Sequence, residues 1–165
     1  MIIIALGSNI DGPWGPPAAT VLKALGFLDG EECRLVRASA LVETSPLGRI
    51  DQPNFVNAVA QVETAMGPEA LLEHLHSIEA MAGRRRGEKW GPRVLDLDLI
   101  DYDGLVRDQP PPILPHPGIP DRTFVLAPLA EIAPEWRHPV LKQSAAELLA
   151  RLGGKSEGAI LGPRG

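Results

Sequence analysis

The spacing of apolar positions changes several times along the chain, and each spacing predicts an element. Ile2–Leu6 is a short apolar run closed by Gly7, the pattern of a buried strand. Ala18–Leu28 sets Val21, Leu22, Leu25 and Leu28 at helical spacing, weakened by Gly26. Arg34–Thr44 reads as one strand with Val36, Ala38, Ala40 and Val42 along a single face. Phe55–Thr64 is a second alternating run, with Val56, Ala58, Ala60 and Val62 inward. Pro68–Ala82 is a helix started by Pro68 and stopped by Gly83, its core face made by Leu71, Leu72, Leu75 and Ile78. Val94–Tyr102 closes the series as a strand. The order βαββαβ predicts an α+β fold with a ferredoxin-like core, in which two helices cover one side of an antiparallel sheet. Phe55 and Asn57 then lie opposite the apolar face of their strand, as Asp96 and Asp98 do on theirs, so all four emerge on the other side.

The segment after Tyr102 must partly cover that other side, which makes a three-layer α/β/α sandwich. Asp121 is placed to cap a helix containing Phe124, Val125 and Leu129, kinked by Pro128. Ser144 and Glu147 have the spacing of a capping box for a last helix ending at Gly153. Residues 1–153 are expected to form a single domain, and residues 154–165, rich in glycine, a flexible tail.

Composition narrows the function classes. With 165 residues, 44% hydrophobic and 22% charged, the chain has the make-up of an ordinary globular domain with a sizeable core. A net charge of −5 argues against a general nucleic-acid or membrane binder, which needs a broad positive field. The lone cysteine, Cys33, cannot form an internal disulfide, and no membrane-length apolar run or signal-like segment is evident. A cytoplasmic monomer is expected.

Positive charge is instead local. Arg84, Arg85, Arg86, Lys89 and Arg93 fall within ten residues, and directly after them Asp96 and Asp98 share one strand face while Leu95, Leu97 and Leu99 share the other. Two carboxylates ~7 Å apart on one face repel unless a cation lies between them. Hard oxygen donors of this kind suit Mg²⁺ carrying a bound phosphate. Arg84 and Arg93 are the best phosphate ligands, since guanidinium offers paired donors and keeps its charge. Glycines at 83, 87 and 91 make the arginine-rich stretch a candidate lid, with Trp90 on it. An Asp-x-Asp alone is weak, as is an arginine run alone. Their ordered combination is specific.

Lys89–Ile100, which reads Lys-Trp-Gly-Pro-Arg-Val-Leu-Asp-Leu-Asp-Leu-Ile, resembles the signature of the 6-hydroxymethyl-7,8-dihydropterin pyrophosphokinases. Ala5-Leu6-Gly7-Ser8-Asn9, Thr44–Gly48, Asp51–Asn57 and Pro115-His116-Pro117 followed by Arg122 and Phe124 fall in that family's order, so the resemblance runs from residue 2 to about Pro134. It implies transfer of diphosphate from ATP to the hydroxymethyl group of the pterin, with release of AMP, in folate biosynthesis. It makes Asp96 and Asp98 the ligands of two Mg²⁺ ions, and Arg84, Arg93, Asp96 and Asp98 the catalytic set. The resemblance assigns Glu79, Arg84, Arg86, Trp90, Arg93, Ile100, His116 and Arg122 to ATP. To the pterin it assigns Asn9, Thr44, Ser45, Leu47, Phe55, Asn57, Trp90, Asp96 and Phe124. Glu79 also stands out by itself, as an acid on the Leu72 and Leu75 stripe that needs a partner.

Two departures qualify the pattern. Pro110-Pro111-Pro112 replaces a more ordinary strand entry to Pro115-His116-Pro117, so nucleotide contacts are not carried onto it. Asp101 stands where an apolar residue is expected and, in a regular strand, would face away from Asp96 and Asp98. Two other functions share parts of the pattern. A metal-dependent nucleotidyltransferase would use a similar carboxylate pair but release diphosphate. A ferredoxin-like RNA-binding module would need aromatic residues on a central strand, and three Phe and one Tyr in the whole chain leave little for that.

Overall fold

A computed structural model describes residues 1–44, 54–84, 93–153 and the backbone of 158–160. The elements run β1 (Ile2–Ser8), α1 (Pro17–Phe27), β2 (Cys33–Ala38), β3 (Val42–Thr44), β4 (Phe55–Thr64), α2 (Pro68–Met81), β5 (Asp96–Tyr102), α3 (Thr123–Ile132), α4 (Ala145–Arg151) and β6 (Gly158–Ile160). The main path through the sheet is β5-β1-β4-β3-β6, and β2 pairs with the far half of β4. All these pairings are antiparallel. With β2 and β3 taken as one interrupted strand, this is the expected ferredoxin-like order.

The parity of the strands divides the molecule into two cores. Ile4, Leu6, Val56, Ala58, Ala60, Val62, Leu97 and Leu99 pack with Val21 and Leu25 of α1 and Leu71, Leu75 and Ile78 of α2. On the opposite side Ile3, Ala5, Val59 and Ile100 pack with Ile119 and with Val125, Leu126, Leu129 and Leu148 of α3 and α4. Both sides of the sheet are therefore covered, and the three-layer arrangement holds.

Four sequence expectations need correction. The strand expected over 34–44 breaks in two, because Ser39 leaves the ladder: its hydroxyl donates to the Ala40 carbonyl and accepts from Val59 N, each at 2.9 Å. A bulge between Leu35 and Arg37 also takes Val36 out of register, so of the predicted face Ala38 meets the helical layer, joined by Cys33, Leu35 and Leu41. Asp121 does not cap α3. It ends a 3₁₀ turn at Ile119–Asp121, and Arg122 holds the cap position without a side-chain cap bond. Gly158–Ile160, within the stretch expected to lack order, forms β6 against β3, whose outer edge offers unpaired backbone groups. The fourth is Asp101. A bulge sets Leu99 opposite Ile4 but Asp101 opposite Ile3, so Asp101 turns to the same side as Asp96 and Asp98. The capping box is present, with Ser144 Oγ accepting from Glu147 N at 3.1 Å and Glu147 Oε1 from Ser144 N at 3.0 Å.

Candidate active site

Three adjacent strands build the floor of the site. Gly7 of β1 lies between Asn57 of β4 and Asp96 of β5, and one step along Ala5 lies between Val59 and Asp98. The helices of the second layer take over from this point, with α3 packed on β4. The row at Asn57, Gly7 and Asp96 thus borders the second core. Gly7 leaves room for the Asn57 amide, since a Cβ there would come within 2.9 Å of Asn57 Oδ1. The same arrangement lets Asn57 Nδ2 donate to Thr44 Oγ1 at 2.8 Å, both residues being buried.

Arginines surround the two carboxylates. Arg84 Nη1 is 2.9 Å from Asp96 Oδ1, Arg93 Nη1 is 4.0 Å from the same oxygen, and Arg122 Nη1 is 4.0 Å from Asp98 Oδ2. Burial pushes the Asp96 carboxyl above the usual carboxylate range. Arg84 pulls it down, Asp98 pushes it up again, and Arg93 and Arg122 add smaller downward pulls. Such a face favours added cations, and the arginines hold that role in the ligand-free protein.

Glu79, 5% exposed on α2, has a partner on each side of one oxygen: Oε2 accepts from Arg84 Nη1 at 2.6 Å and from Leu97 N at 2.7 Å. Burial pushes its pKa up to about 7, against the downward pull of both donors. Glu79 therefore ties α2, Arg84 and β5 together. Among the described residues Arg84 Nε is buried with no hydrogen-bond partner, a misplaced donor unless a ligand meets it.

Arg93 is positioned separately. Asn9 N donates to Arg93 O at 2.9 Å, and Asn9 Oδ1 accepts from Arg93 N at 2.7 Å. Asn9 is fully buried in this clamp, which spends its side-chain oxygen on Arg93. The adjacent turn is close-packed: a Cβ on Gly12 would meet Val94 Cγ1 at 2.4 Å, and one on Gly83 would meet Pro13 Cδ at 2.8 Å.

His116 N donates to the Ile100 carbonyl at 2.9 Å, and His116 Nδ1 accepts from Gly118 N at 3.0 Å. Burial holds the imidazole below its ordinary pKa, with Asp98 raising it and Arg122 lowering it. A neutral ring whose Nδ1 accepts must carry its proton on Nε2, which makes Nε2 a donor. Arg122 folds over Gly118, where a Cβ would lie 2.5 Å from Arg122 Nε, and its guanidinium carbon is 5.9 Å from the centre of the Phe124 ring. Phe55 and Phe124 are both partly exposed. The Ile100 side chain, by contrast, is buried in the second core, and it meets His116 through its backbone carbonyl.

The described residues thus bring together Glu79, Arg84, Arg93, Asp96, Asp98, His116 and Arg122, with Thr44, Phe55 and Asn57 alongside. Ser45, Leu47, Arg86 and Trp90, and with them the lid, lie outside the described residues. Gly7 and Gly118 were missed as site positions. The sequence reading closed the first strand at Gly7, whereas β1 runs through it to Ser8 and so sets Gly7 between Asn57 and Asp96.

Comparison with known proteins identifies the family. A family model described as 7,8-dihydro-6-hydroxymethylpterin-pyrophosphokinase (HPPK) matches residues 3–134. The chain is 42% identical over 139 residues to the 2-amino-4-hydroxy-6-hydroxymethyldihydropteridine pyrophosphokinase of Pseudomonas aeruginosa, covering 84% of this chain and 83% of that one. The enzyme of the same description from Methylorubrum extorquens is 43% identical over 133 residues, covering 80% and 82%. Among solved structures, the Plasmodium falciparum HPPK-DHPS wild type with SDX-DHP aligns with a TM-score of 0.67 at 15% identity, over 92% of this chain and 43% of that one. That likeness supports the fold alone, and this chain spans less than half of the longer protein. Fold and relatives define a ferredoxin-like α+β transferase. The chain belongs to the 7,8-dihydro-6-hydroxymethylpterin pyrophosphokinase family of folate biosynthesis.

Proposed function

We propose that the chain transfers diphosphate from ATP to the hydroxymethyl group of 6-hydroxymethyl-7,8-dihydropterin and releases AMP, using two Mg²⁺ ions on Asp96 and Asp98. The observation that carries this reading is the carboxylate pair on one sheet face, ringed by Arg84, Arg93 and Arg122. The donor set fits Mg²⁺: two hard carboxylates, with no cluster of three or more His, Cys, Asp or Glu among the described residues that would suggest an all-protein cage. Mg²⁺ commonly binds through one or two carboxylates and completes its shell with phosphate and water. Bound there, it would neutralise phosphate charge and polarise the attacking hydroxyl.

The residues of the chain supply position and charge. The pterin hydroxyl oxygen forms a bond to the β-phosphorus while the bond from that phosphorus to the α,β-bridging oxygen breaks. AMP leaves with that oxygen, and the hydroxyl proton passes to solvent. Arg84, Arg93, Arg122 and the Nε2 of His116 are donors to the phosphates, and the buried, unpaired Nε of Arg84 supports an anion beside it. Asn57 and Thr44 face the polar edge of the pterin, and Phe55 and Phe124 offer aromatic faces to its ring.

The test is incubation of the protein with ATP, Mg²⁺ and 6-hydroxymethyl-7,8-dihydropterin. AMP and a pterin diphosphate are expected. Free diphosphate would instead indicate a nucleotidyltransferase and overturn the reading. Asp98→Ala should lower turnover by at least about a hundredfold with its thermal unfolding little changed, because that carboxylate lies outside both cores. Near-normal AMP release by this variant would remove the metal assignment.

A further inference from the structure

Asp101 is the one acid of β5 that the site does not use. It is 3% exposed, beside a core of Ile3, Ile100, Leu126 and Leu129. Trp136 Nε1 donates to its Oδ2 at 2.7 Å and Gly104 N to its Oδ1 at 3.0 Å. Both donors are neutral. A carboxylate buried on neutral donors costs more than an aliphatic side chain of similar size would, so stability alone does not explain it.

Its position explains more. The bulge in β5 inserts Ile100 between the residues paired with Ile4 and Ile3, and Asp101 is the first residue back in register. Without the bulge Asp101 would point into the opposite core and Trp136 would bury an unpaired N–H. The inserted Ile100 gives its carbonyl to His116 N. The chain between them leaves through a turn in which Asp103 and Gly104 both have positive φ, at 51° and 76°, and returns through paired Arg107 and Leu114. Asp101 holds the start of that excursion at Gly104, and Ile100 holds its end at His116. Behind the contact, the ring of His138 meets Trp136 edge-on at 6.1 Å, and its Nδ1 accepts from Val140 N and Leu141 N.

We infer that Asp101 and Trp136 form a latch that positions His116: by pinning the bulge, they set where the Ile100 carbonyl seats His116 beside Asp98 and Arg122. Asp101 and Trp136 are positioning residues, remote from the reacting atoms. The inference rests on the proposed function only where it takes His116 to meet the nucleotide.

Trp136→Phe keeps a ring in the core and removes the donor, and Asp101→Asn keeps the shape while changing one acceptor. Three quantities are compared with wild type: the ¹⁵N-coupled ring signals of His116 in the ligand-free protein, and the Kd of a non-hydrolysable ATP analogue and of the pterin, each with Mg²⁺. The expected result for both variants is a shift of the His116 ring signals and an analogue Kd raised about fivefold or more, with pterin Kd within about twofold. The double variant should be little worse than either single one, because both act on the same contact. Lower melting temperature with unchanged His116 signals and unchanged analogue Kd would overturn the latch and leave a contact that only stabilises the second core. Should wild type bind no nucleotide, the proposed function falls, while the His116 signals still decide for or against the latch.

Discussion

Gly7 shows how one absent side chain organises the site. Its hydrogen leaves room for Asn57, and Asn57 in turn holds Thr44. In Gly7→Ala the new methyl must displace Asn57 Oδ1, which stands 2.9 Å from where it would sit. Asn57 is the far end of a side chain and can move, so the fold should survive. The expected outcome is a pterin Kd raised about tenfold, a loss near 1.4 kcal/mol, with binding of an ATP analogue unchanged. Calorimetry on each ligand separately checks it, and equal loss for both ligands would show that Gly7 serves the fold.

At the scale of elements, strand parity was readable from the chain and strand irregularity was not. Asp96 and Asp98 fall on the opposite side from Leu97 and Leu99, as alternation requires. Bulges at Val36 and Ile100 depend on which residue the partner strand offers, and that information lies elsewhere in the chain. One misfit did hint at the second bulge. Asp101, an acid in an apolar position, needed a partner, and the structure supplies Trp136. Pairing of Gly158–Ile160 with β3 left no local mark, since backbone edges recruit by geometry and not by composition. Glu79 was half legible: the helical stripe showed that it must be buried and paired, and the structure supplied Leu97 N as the second donor. Helix starts were legible at Pro68 and Ser144 but not at Asp121. Ser144 caps α4 as its spacing predicts, so Ser144→Ala should lower stability by about 1 kcal/mol in urea unfolding while leaving turnover intact, because α4 touches the second core and not the carboxylates.

Across the whole molecule, the site imposes a cost on the ligand-free fold that depends on pH. Glu79 has its folded pKa raised to about 7 from an ordinary value of 4.5. Between those values the folded protein binds more protons at Glu79 than the unfolded chain does, so this group's contribution to stability falls as pH rises through that window. Metal-free protein should therefore lose on the order of 2 kcal/mol between pH 4.5 and 7.5 from this residue. Glu79→Gln should flatten that part of the profile, measured by urea midpoints at several pH values in a chelating buffer. A profile unchanged by the substitution would mean that Arg84 and Leu97 N keep Glu79 ionised throughout.

The row from Asn57 through Gly7 to Asp96 also acts as a gauge. Its ends are two interstrand spacings apart, close to ~10 Å, and backbone hydrogen bonding sets that length. Replacing side chains along the row changes what is recognised at either end but leaves the span alone. A molecule that satisfies both ends must bring its own matching length, such as a fused ring at Asn57 with a reacting arm extended toward Asp96. Selection by reach of this kind would persist through substitutions that alter affinity, and only a change of strand order or an extra strand could recalibrate it.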